Sequence, residues 1–146
     1  MSIVIPALDE AVALASLLQC LRELEVPPNF EVVLVDGGSR DGTPERFASL
    51  VREGGPWLQT GVLVSPARGR AVQMNAGARV ARGEVLLFLH ADTRLPPDAL
   101  SLVAGAMTDP AVVGGGFRHR FDEDTLLLRL ISLCATLRSR LCGIHY

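Results

Sequence analysis

Two aspartates follow apolar runs of the kind that forms buried strands. Asp36 closes the segment 31–36, and Asp92 follows the run 85–89. A carboxylate at a strand end can accept a hydrogen bond from a nucleobase or a ribose hydroxyl, and the two glycines after Asp36 let the backbone approach a ligand closely. Asp92 offers a hard oxygen ligand that suits Mg²⁺ or Mn²⁺ bridging a diphosphate. We therefore expect Asp36 to contact a nucleoside and Asp92 to hold a divalent metal.

Two arginines stand beside the predicted start of a helix. Arg68 and Arg70 carry guanidinium groups that can bind phosphate in a bidentate manner, and the positive end of the helix dipole strengthens that attraction. The alternative is that both are solvated surface charges. Gln73 and Asn75 follow on the same helix, where a polar side chain can face a ligand, and Gly77 permits close packing of the helix.

Several of these polar residues have a structural alternative. Asp36 or Asp41 could cap the next helix, and we prefer capping for Asp41 because it lies just before Pro44, a typical first residue of a helix. For Asp36 we prefer the ligand contact. His90 could be a second metal ligand, but a structural role is the more common one for a lone histidine.

The elements that must position these residues alternate between strands and helices. Asp9 is a plausible N-cap of the first helix. The β-α-β-α order predicts an α/β fold with a mostly parallel sheet and helices on both faces. Ligands of such sheets bind beyond the carboxyl ends of the strands, which selects four loops. The predicted strands are 2–6, 31–36, 62–64, 84–89 and 112–121, the helices are 10–24, 44–52, 71–81, one opening at 95–98 and one at 124–141, and the loops are 6–10, 36–43, 65–75 and 90–94.

Composition excludes several classes of function. A formal net charge of -2 over 146 residues argues against nucleic-acid binding, which usually needs a strongly basic domain. Three cysteines without a CxxC pair favour thiols in a reducing compartment over disulfides or zinc. The N-terminus has no signal-peptide pattern, and no apolar stretch reaches the ~20 residues of a membrane span. We expect a cytoplasmic protein.

Four motifs in order resemble family 2 glycosyltransferases of the GT-A fold. The glycine-rich signatures of Rossmann dinucleotide folds and P-loops are absent. The first two motifs look like the family's Pro-x-x-Asn/Asp-Glu and Val-Asp-Asp-Gly-Ser-x-Asp-Gly-Thr patterns, with Gly37 in place of the second aspartate. The other two look like its basic-x-x-x-x-Asn-x-Gly helix and its Asp-x-Asp metal motif, with His90 in place of the first aspartate. The matching segments are 6–10, 35–43, 70–77 and 90–92.

Within that family the segments 69–77 and 87–93 are most similar to a bacterial subgroup associated with radical-SAM/selenodomain proteins. The resemblance implies a nucleotide-diphospho-sugar donor, a UDP- or GDP-sugar, and an inverting transfer. Glu10 and Asp36 would contact the nucleoside, Arg70 the diphosphate and Asp92 the metal, where they would stabilise charge on the leaving group. The full set of implied donor-binding residues is Pro6, Ala7, Glu10, Asp36, Gly38, Arg68, Arg70, Gln73, Asn75, Ala91 and Asp92.

Two departures from the family pattern matter. With His90 in the first motif position, metal binding should depend on the phosphates of the donor. The family's general base lies in a Glu-Asp motif far downstream, and residues 122–124 do not match its position, so no catalytic base is identified. We therefore expect a nucleotide-sugar-binding GT-A subdomain over 1–121, followed by an amphipathic helix over 122–146 that leads into a missing acceptor-binding half.

The last predicted helix has a leucine stripe and three arginines. Packing against the sheet or the missing half is the preferred interpretation. A homodimer or a contact with the inner membrane surface through 124–141 is the alternative. Two other functions stay open. A sugar nucleotidyltransferase would carry a basic, glycine-rich loop where this chain has acidic residues at 9–10, and a non-catalytic binding module would follow if the chain were complete.

Overall fold

The computed structural model describes residues 1–25, 30–54 and 68–117, together with the backbone of 59–64. The described strands form one parallel sheet in the order β3-β2-β1-β4. Its strands are β1 (Ser2–Ala7), β2 (Glu31–Asp36), β3 (Gln59–Val64) and β4 (Leu86–Phe88), and the helices are α1 (Ala11–Arg22), α2 (Thr43–Arg52), α3 (Arg70–Val80) and α4 (Ala99–Ala106).

Alternating residues of β1 and β2 divide the core between the two faces of the sheet. Ile3 and Ile5 point to one face, where they pack with apolar residues of α1, α2 and the start of α4. Val4 and Val35 point to the other face, where alanines of α3 and the residue after it pack against them. Both strands are therefore buried on both faces, which is why their sequences are nearly continuous apolar runs. The predicted α/β fold with helices on both faces is confirmed.

The observed bounds differ from several of the expected ones. β4 covers only Leu86–Phe88 instead of 84–89, and β3 begins at Gln59, three residues earlier than expected. The predicted return strand over 112–121 is wrong in its described part, because 112–117 has no strand hydrogen bonding. That segment contains three consecutive glycines, whose conformational freedom disfavours a strand.

Two compact units divide the chain, over 1–105 and 106–146. The described part of the second unit, 106–117, begins with turns in which Asp109 N–H bonds to Ala106 O and Val112 N–H to Asp109 O. The predicted boundary at 121/122 and the predicted helix over 124–141 lie outside the described residues. No described helix is long and apolar enough to cross a membrane.

The amino end of the sheet is held by a small polar cluster. The buried Ser2 hydroxyl donates to the Glu31 carboxylate over 2.6 Å and accepts from Gly83 N–H. Partial burial opposes ionisation of Glu31, but hydrogen bonds from Arg82 N–H, Ser2 and Gly83 N–H outweigh it and lower its pKa. This cluster ties β1 and β2 to the segment that leads into β4, at the end of the sheet opposite the predicted site.

Gly77 lets α3 pack tightly on the sheet, as predicted. A Cβ at this position would collide with Val4 Cγ1 and would lie 2.9 Å from Val35 Cγ2. Since both valines are fully buried in the middle of their strands, neither can move aside without disturbing the core. The absent side chain sets how close α3 approaches β1 and β2.

We predict that Gly77→Ala destabilises the protein by about 1–3 kcal/mol, because overpacking outweighs the better helix propensity of alanine. Urea unfolding followed by circular dichroism measures the change. Gly105→Ala is the matched control, since it also lies in a helix and its new Cβ would meet nothing within 4 Å. An unchanged or higher stability of Gly77→Ala would contradict this packing.

Candidate functional site

The loops that hold Glu10, Asp36 and Asp92 begin where β1, β2 and β4 end. Ala7 and Asp36 are register partners at the ends of β1 and β2, and Gly37 N–H extends the ladder by donating to Ala7 O over 2.8 Å. On the other side of β1, Leu89 N–H donates to Val4 O just before the loop that holds Asp92. The parallel topology therefore brings three of the four predicted loops to one edge of the sheet, as expected.

Asp36 is 3% exposed, and its carboxylate accepts hydrogen bonds from its own loop. Oδ2 accepts from Gly38 N–H over 2.9 Å and from Ser39 N–H over 3.1 Å, and Oδ1 accepts from the Ser39 hydroxyl. These bonds turn the chain sharply after β2, which Gly38 assists with a φ of 88°. Asp36 thus organises the loop around itself, and its direct contact with a nucleoside stays a prediction.

Four hydrogen bonds join the loop after β1 to the loop after β2. Asp9 N–H donates to Ser39 Oγ over 2.9 Å, and Asp9 Oδ1 accepts from Arg40 N–H over 2.7 Å. Glu10 N–H donates to Thr43 Oγ1 and Ala11 N–H to Asp41 Oδ2, each over 2.9 Å. We call these four bonds the loop bridge. Three of them satisfy backbone donors at or just before the start of α1 that have no partner within the helix, and the fourth satisfies Arg40 N–H in the second loop.

The structure corrects both capping predictions. Asp9 is not the N-cap of α1. That position is Glu10, and Asp9 adopts a left-handed φ of 56° that directs its carboxylate to Arg40 instead. Asp41 is not the N-cap of α2 either: that position is Gly42, and Asp41, one residue earlier, accepts from Thr43 N–H and the Thr43 hydroxyl as well as from Ala11 N–H. Hydrogen bonds from the Thr43 hydroxyl and from Ala11 N–H lower the pKa of Asp41.

Gln73 and Asn75 do not share a face of α3. Gln73 is 4% exposed and its amide nitrogen donates to Ala7 O over 2.7 Å and to Val35 O over 2.8 Å. Asn75 is exposed, as two residues along a helix turn the side chain by about 200°. Gln73 therefore lies under the strand ends, while Asn75 points away from the sheet.

The predicted phosphate and metal residues are on the surface. Arg68 and Arg70 are exposed on either side of Gly69, which precedes α3 with a φ of 132°. Ala91 is buried, whereas Asp92 is exposed, and no described residue forms a hydrogen bond with its carboxylate. His90 O accepts from Thr93 N–H, which closes a tight turn after β4.

No group of three metal-binding side chains occurs among the described residues. A metal on Asp92 would therefore need further ligands beyond the described side chains, and the phosphate oxygens of a donor stay the predicted source. The exposed carboxylate of Asp92 is suited to such shared coordination, because hard divalent cations are commonly held by one or two carboxylates together with substrate phosphates.

Ser39 and Thr43 are central to the site but were not among the predicted residues. Each hydroxyl accepts from a backbone N–H of the first loop and donates to an aspartate of the second. The Asp-x-x-Ser and Asp-x-Thr spacings, typical of side chains that bond nearby backbone groups, are the sequence signal that could have indicated them. That signal reports only the local bonds and not their partners some 30 residues away.

We predict that Thr43→Val lowers the free energy of unfolding by about 1–3 kcal/mol, because Thr43 is fully buried and the change leaves Glu10 N–H without its acceptor, while Asp41 Oδ1 keeps only its bond from Thr43 N–H. Valine keeps the shape of threonine, so the loss reports the hydrogen bonds. Thr93→Val is the control, since no described residue bonds its hydroxyl. Equal stability of the two variants in urea unfolding would contradict the loop bridge.

Comparison with known proteins identifies the family to which the chain belongs. The chain matches the profile described as "Glycosyl transferase family 2" over residues 2–141. It is 34% identical over 125 residues to an undecaprenyl-phosphate 4-deoxy-4-formamido-L-arabinose transferase of Aeromonas hydrophila, covering 84% of this chain and 38% of that protein. The chain thus spans well under half the length of this relative.

Solved structures show the same fold. A mannosyltransferase of Pyrobaculum calidifontis, in complex with GDP-Man and Mn²⁺, superposes with a TM-score of 0.70 at 29% identity, over 76% of this chain and 33% of that one. The TarS protein of S. aureus in complex with UDP-GlcNAc superposes with a TM-score of 0.65 at 22% identity, over 89% of this chain and 42% of that one, and this likeness concerns the fold alone. With its GT-A-like sheet and a family match over nearly its whole length, the chain belongs to glycosyl transferase family 2.

Proposed function

We propose that this chain is the donor-binding part of a metal-dependent glycosyltransferase that takes a UDP- or GDP-sugar. The observation that carries the proposal is that β1, β2 and β4 are neighbouring parallel strands, so that Asp36 at the end of β2 and Asp92 in the loop after β4 lie at one edge of the sheet, with Arg70 at the start of α3. Family membership supports sugar transfer as the reaction class. The mannosyltransferase complex with GDP-Man and Mn²⁺ supports a nucleotide-sugar and a divalent cation as the ligands.

The strand order suggests how a nucleotide-sugar lies along the edge. β2 and β4 flank β1, so their ends are two strand spacings apart, about 10 Å. The nucleoside would lie over the loop after β2. The backbone of Pro6, Ala7 and Gly38 would contact it, and Glu10 would lie beside it. The diphosphate would lie toward Asp92 and Ala91, within reach of Arg68 and Arg70 at the start of α3.

Asp92 would hold the metal together with two oxygens of the diphosphate, and His90 is the candidate second protein ligand. A bound Mg²⁺ or Mn²⁺ would neutralise the charge that develops on the leaving diphosphate. Arg70 would contribute to the same stabilisation through its guanidinium group and the positive end of α3. An inverting transfer also needs a general base, and the described residues offer no candidate for it.

Several finer expectations stay proposals. The acceptor and the catalytic base would belong to parts of a longer protein, since the chain covers 38% of the Aeromonas hydrophila relative and 33% of the mannosyltransferase. The radical-SAM/selenodomain-associated subgroup, the domain boundary at 121/122 and a dimer or membrane contact through 124–141 are likewise predictions. The nucleotidyltransferase alternative loses its support, because the family match is to transferases of sugars.

We predict that a UDP-sugar or a GDP-sugar, added together with MnCl₂, raises the temperature at which the protein unfolds. A ligand at 100 times its Kd raises the free energy of unfolding by about 2.7 kcal/mol. The Asp92→Ala variant should bind the nucleotide-sugar with the same affinity in MnCl₂ as in EDTA, because the side chain that holds the metal is lost. Calorimetric titration of the wild-type and variant proteins in both buffers measures the difference.

Asp98→Ala is the matched control, since Asp98 is an exposed carboxylate near the same loop but outside the proposed site. It should keep the full dependence on manganese. If Asp92→Ala keeps that dependence as well, the metal assignment is wrong. If no nucleotide-sugar binds the wild-type protein in MnCl₂, the proposed function itself is wrong.

A further inference from the structure

The orientation of the Gln73 amide follows from its hydrogen bonds. Its nitrogen lies 2.7 Å from Ala7 O and 2.8 Å from Val35 O, and both of these atoms are acceptors. Only the NH₂ group can satisfy two carbonyls, so the oxygen cannot exchange places with the nitrogen. Both amide hydrogens are used, and Oε1 is left as the free end of the side chain.

Oε1 is an acceptor without a partner in a side chain that is 96% buried. No described residue donates to it. In the described part of the chain no side-chain nitrogen or oxygen is both sealed from solvent and unpaired, so Oε1 must reach solvent. A fixed and largely buried acceptor costs free energy unless a donor meets it, and a ligand can supply that donor.

Gly37 shows where this acceptor is placed. A Cβ on Gly37 would lie 3.0 Å from Nε2, 3.2 Å from Cδ and 3.3 Å from Oε1 of Gln73. The amide therefore fills the space into which a side chain at position 37 would project. In the family pattern this position carries an aspartate, which is also an acceptor. Here an acceptor from α3 occupies the same place, and a glycine at 37 makes room for it.

We propose that Gln73 Oε1 accepts a hydrogen bond from a ring N–H of the donor's nucleobase. The proposal rests on the proposed function, since it needs the nucleoside at the β2 end of the edge. Gln73 lies beneath the ends of β1 and β2, at the end away from Asp92 and the diphosphate. Uracil has such a group at N3 and guanine at N1, whereas the ring nitrogens of cytosine and adenine carry no hydrogen when they are in a nucleotide.

Methylation of the ring nitrogen tests this contact from the ligand side. The probes are UDP and GDP with MnCl₂, each compared by calorimetric titration with its form methylated at uracil N3 or guanine N1. For whichever nucleotide binds, methylation should weaken binding to the wild-type protein by at least about tenfold, because the donor is lost and Oε1 stays unpaired.

Gln73→Met keeps the length of the side chain but has no amide. This variant should bind the methylated and unmethylated forms with equal affinity, and the ratio within one variant cancels any general loss of stability. Gln19→Met, which changes an exposed glutamine of α1, should bind the methylated nucleotide more weakly than the unmethylated one, as the wild-type protein does.

Equal affinity of the wild-type protein for both forms would overturn the proposal even if Gln73→Met fails to fold. Discrimination that survives in Gln73→Met would overturn it as well. Either result leaves the proposed function intact. Absence of binding by both UDP and GDP to the wild-type protein would instead reject the proposed function, and this inference with it.

Discussion

Loops that leave two neighbouring parallel strands carry backbone donors that neither the sheet nor the following helix can satisfy. In this chain the loop bridge meets that need, since each of its hydrogen bonds joins a backbone N–H in one loop to a side-chain oxygen in the other. The Asp36 carboxylate accepts a hydrogen bond from the Ser39 hydroxyl and so orients it, and Asp41 orients the Thr43 hydroxyl in the same way. The two loops therefore form one structure at the edge of the sheet, and the proposed nucleoside position depends on it.

Helix α3 contacts the same edge from the face of the sheet that carries Val4 and Val35, which is opposite the face covered by α1 and α2. Gly77 brings the helix close to Val4 and Val35, and one turn earlier Gln73 can then reach the carbonyls of Ala7 and Val35. The close approach and the buried amide are thus parts of one arrangement. A larger residue at position 77 would push Gln73 away from the strand ends, which connects core packing to the shape of the proposed site.

Periodicity and strand-end position predicted the elements that place the site. The runs that end at Ala7 and Asp36 are apolar because both faces are covered, so the order of elements and the edge that carries the polar loops could be read from the sequence. The close packing at Gly77 was also predicted correctly, because the size of a glycine is a local property.

Other features depend on partners far along the chain, which no local pattern reports. Asp9 resembles an N-cap, yet its carboxylate bonds to Arg40, 31 residues away. Gln73 was expected to bind the ligand because it is polar, and the structure shows that half of its amide is used by the ends of β1 and β2. Only the packing of α3 on the sheet shows that the amide nitrogen of Gln73 is bonded to the two strands, whereas its amide oxygen is not. The predicted strand over 112–121 is absent from its described part, 112–117, where three consecutive glycines disfavour a strand.

Hydrogen exchange of the ligand-free protein tests most directly whether the loop bridge organises the edge before a ligand arrives. The amides of Asp9, Glu10, Ala11 and Arg40 should exchange far more slowly than that of Arg94, a loop residue for which the described structure shows no hydrogen-bond partner at its amide, and all four should lose protection together in Thr43→Val. Exchange of these four amides at the rate of an unstructured peptide, while Val33 in β2 stays protected, would contradict the account.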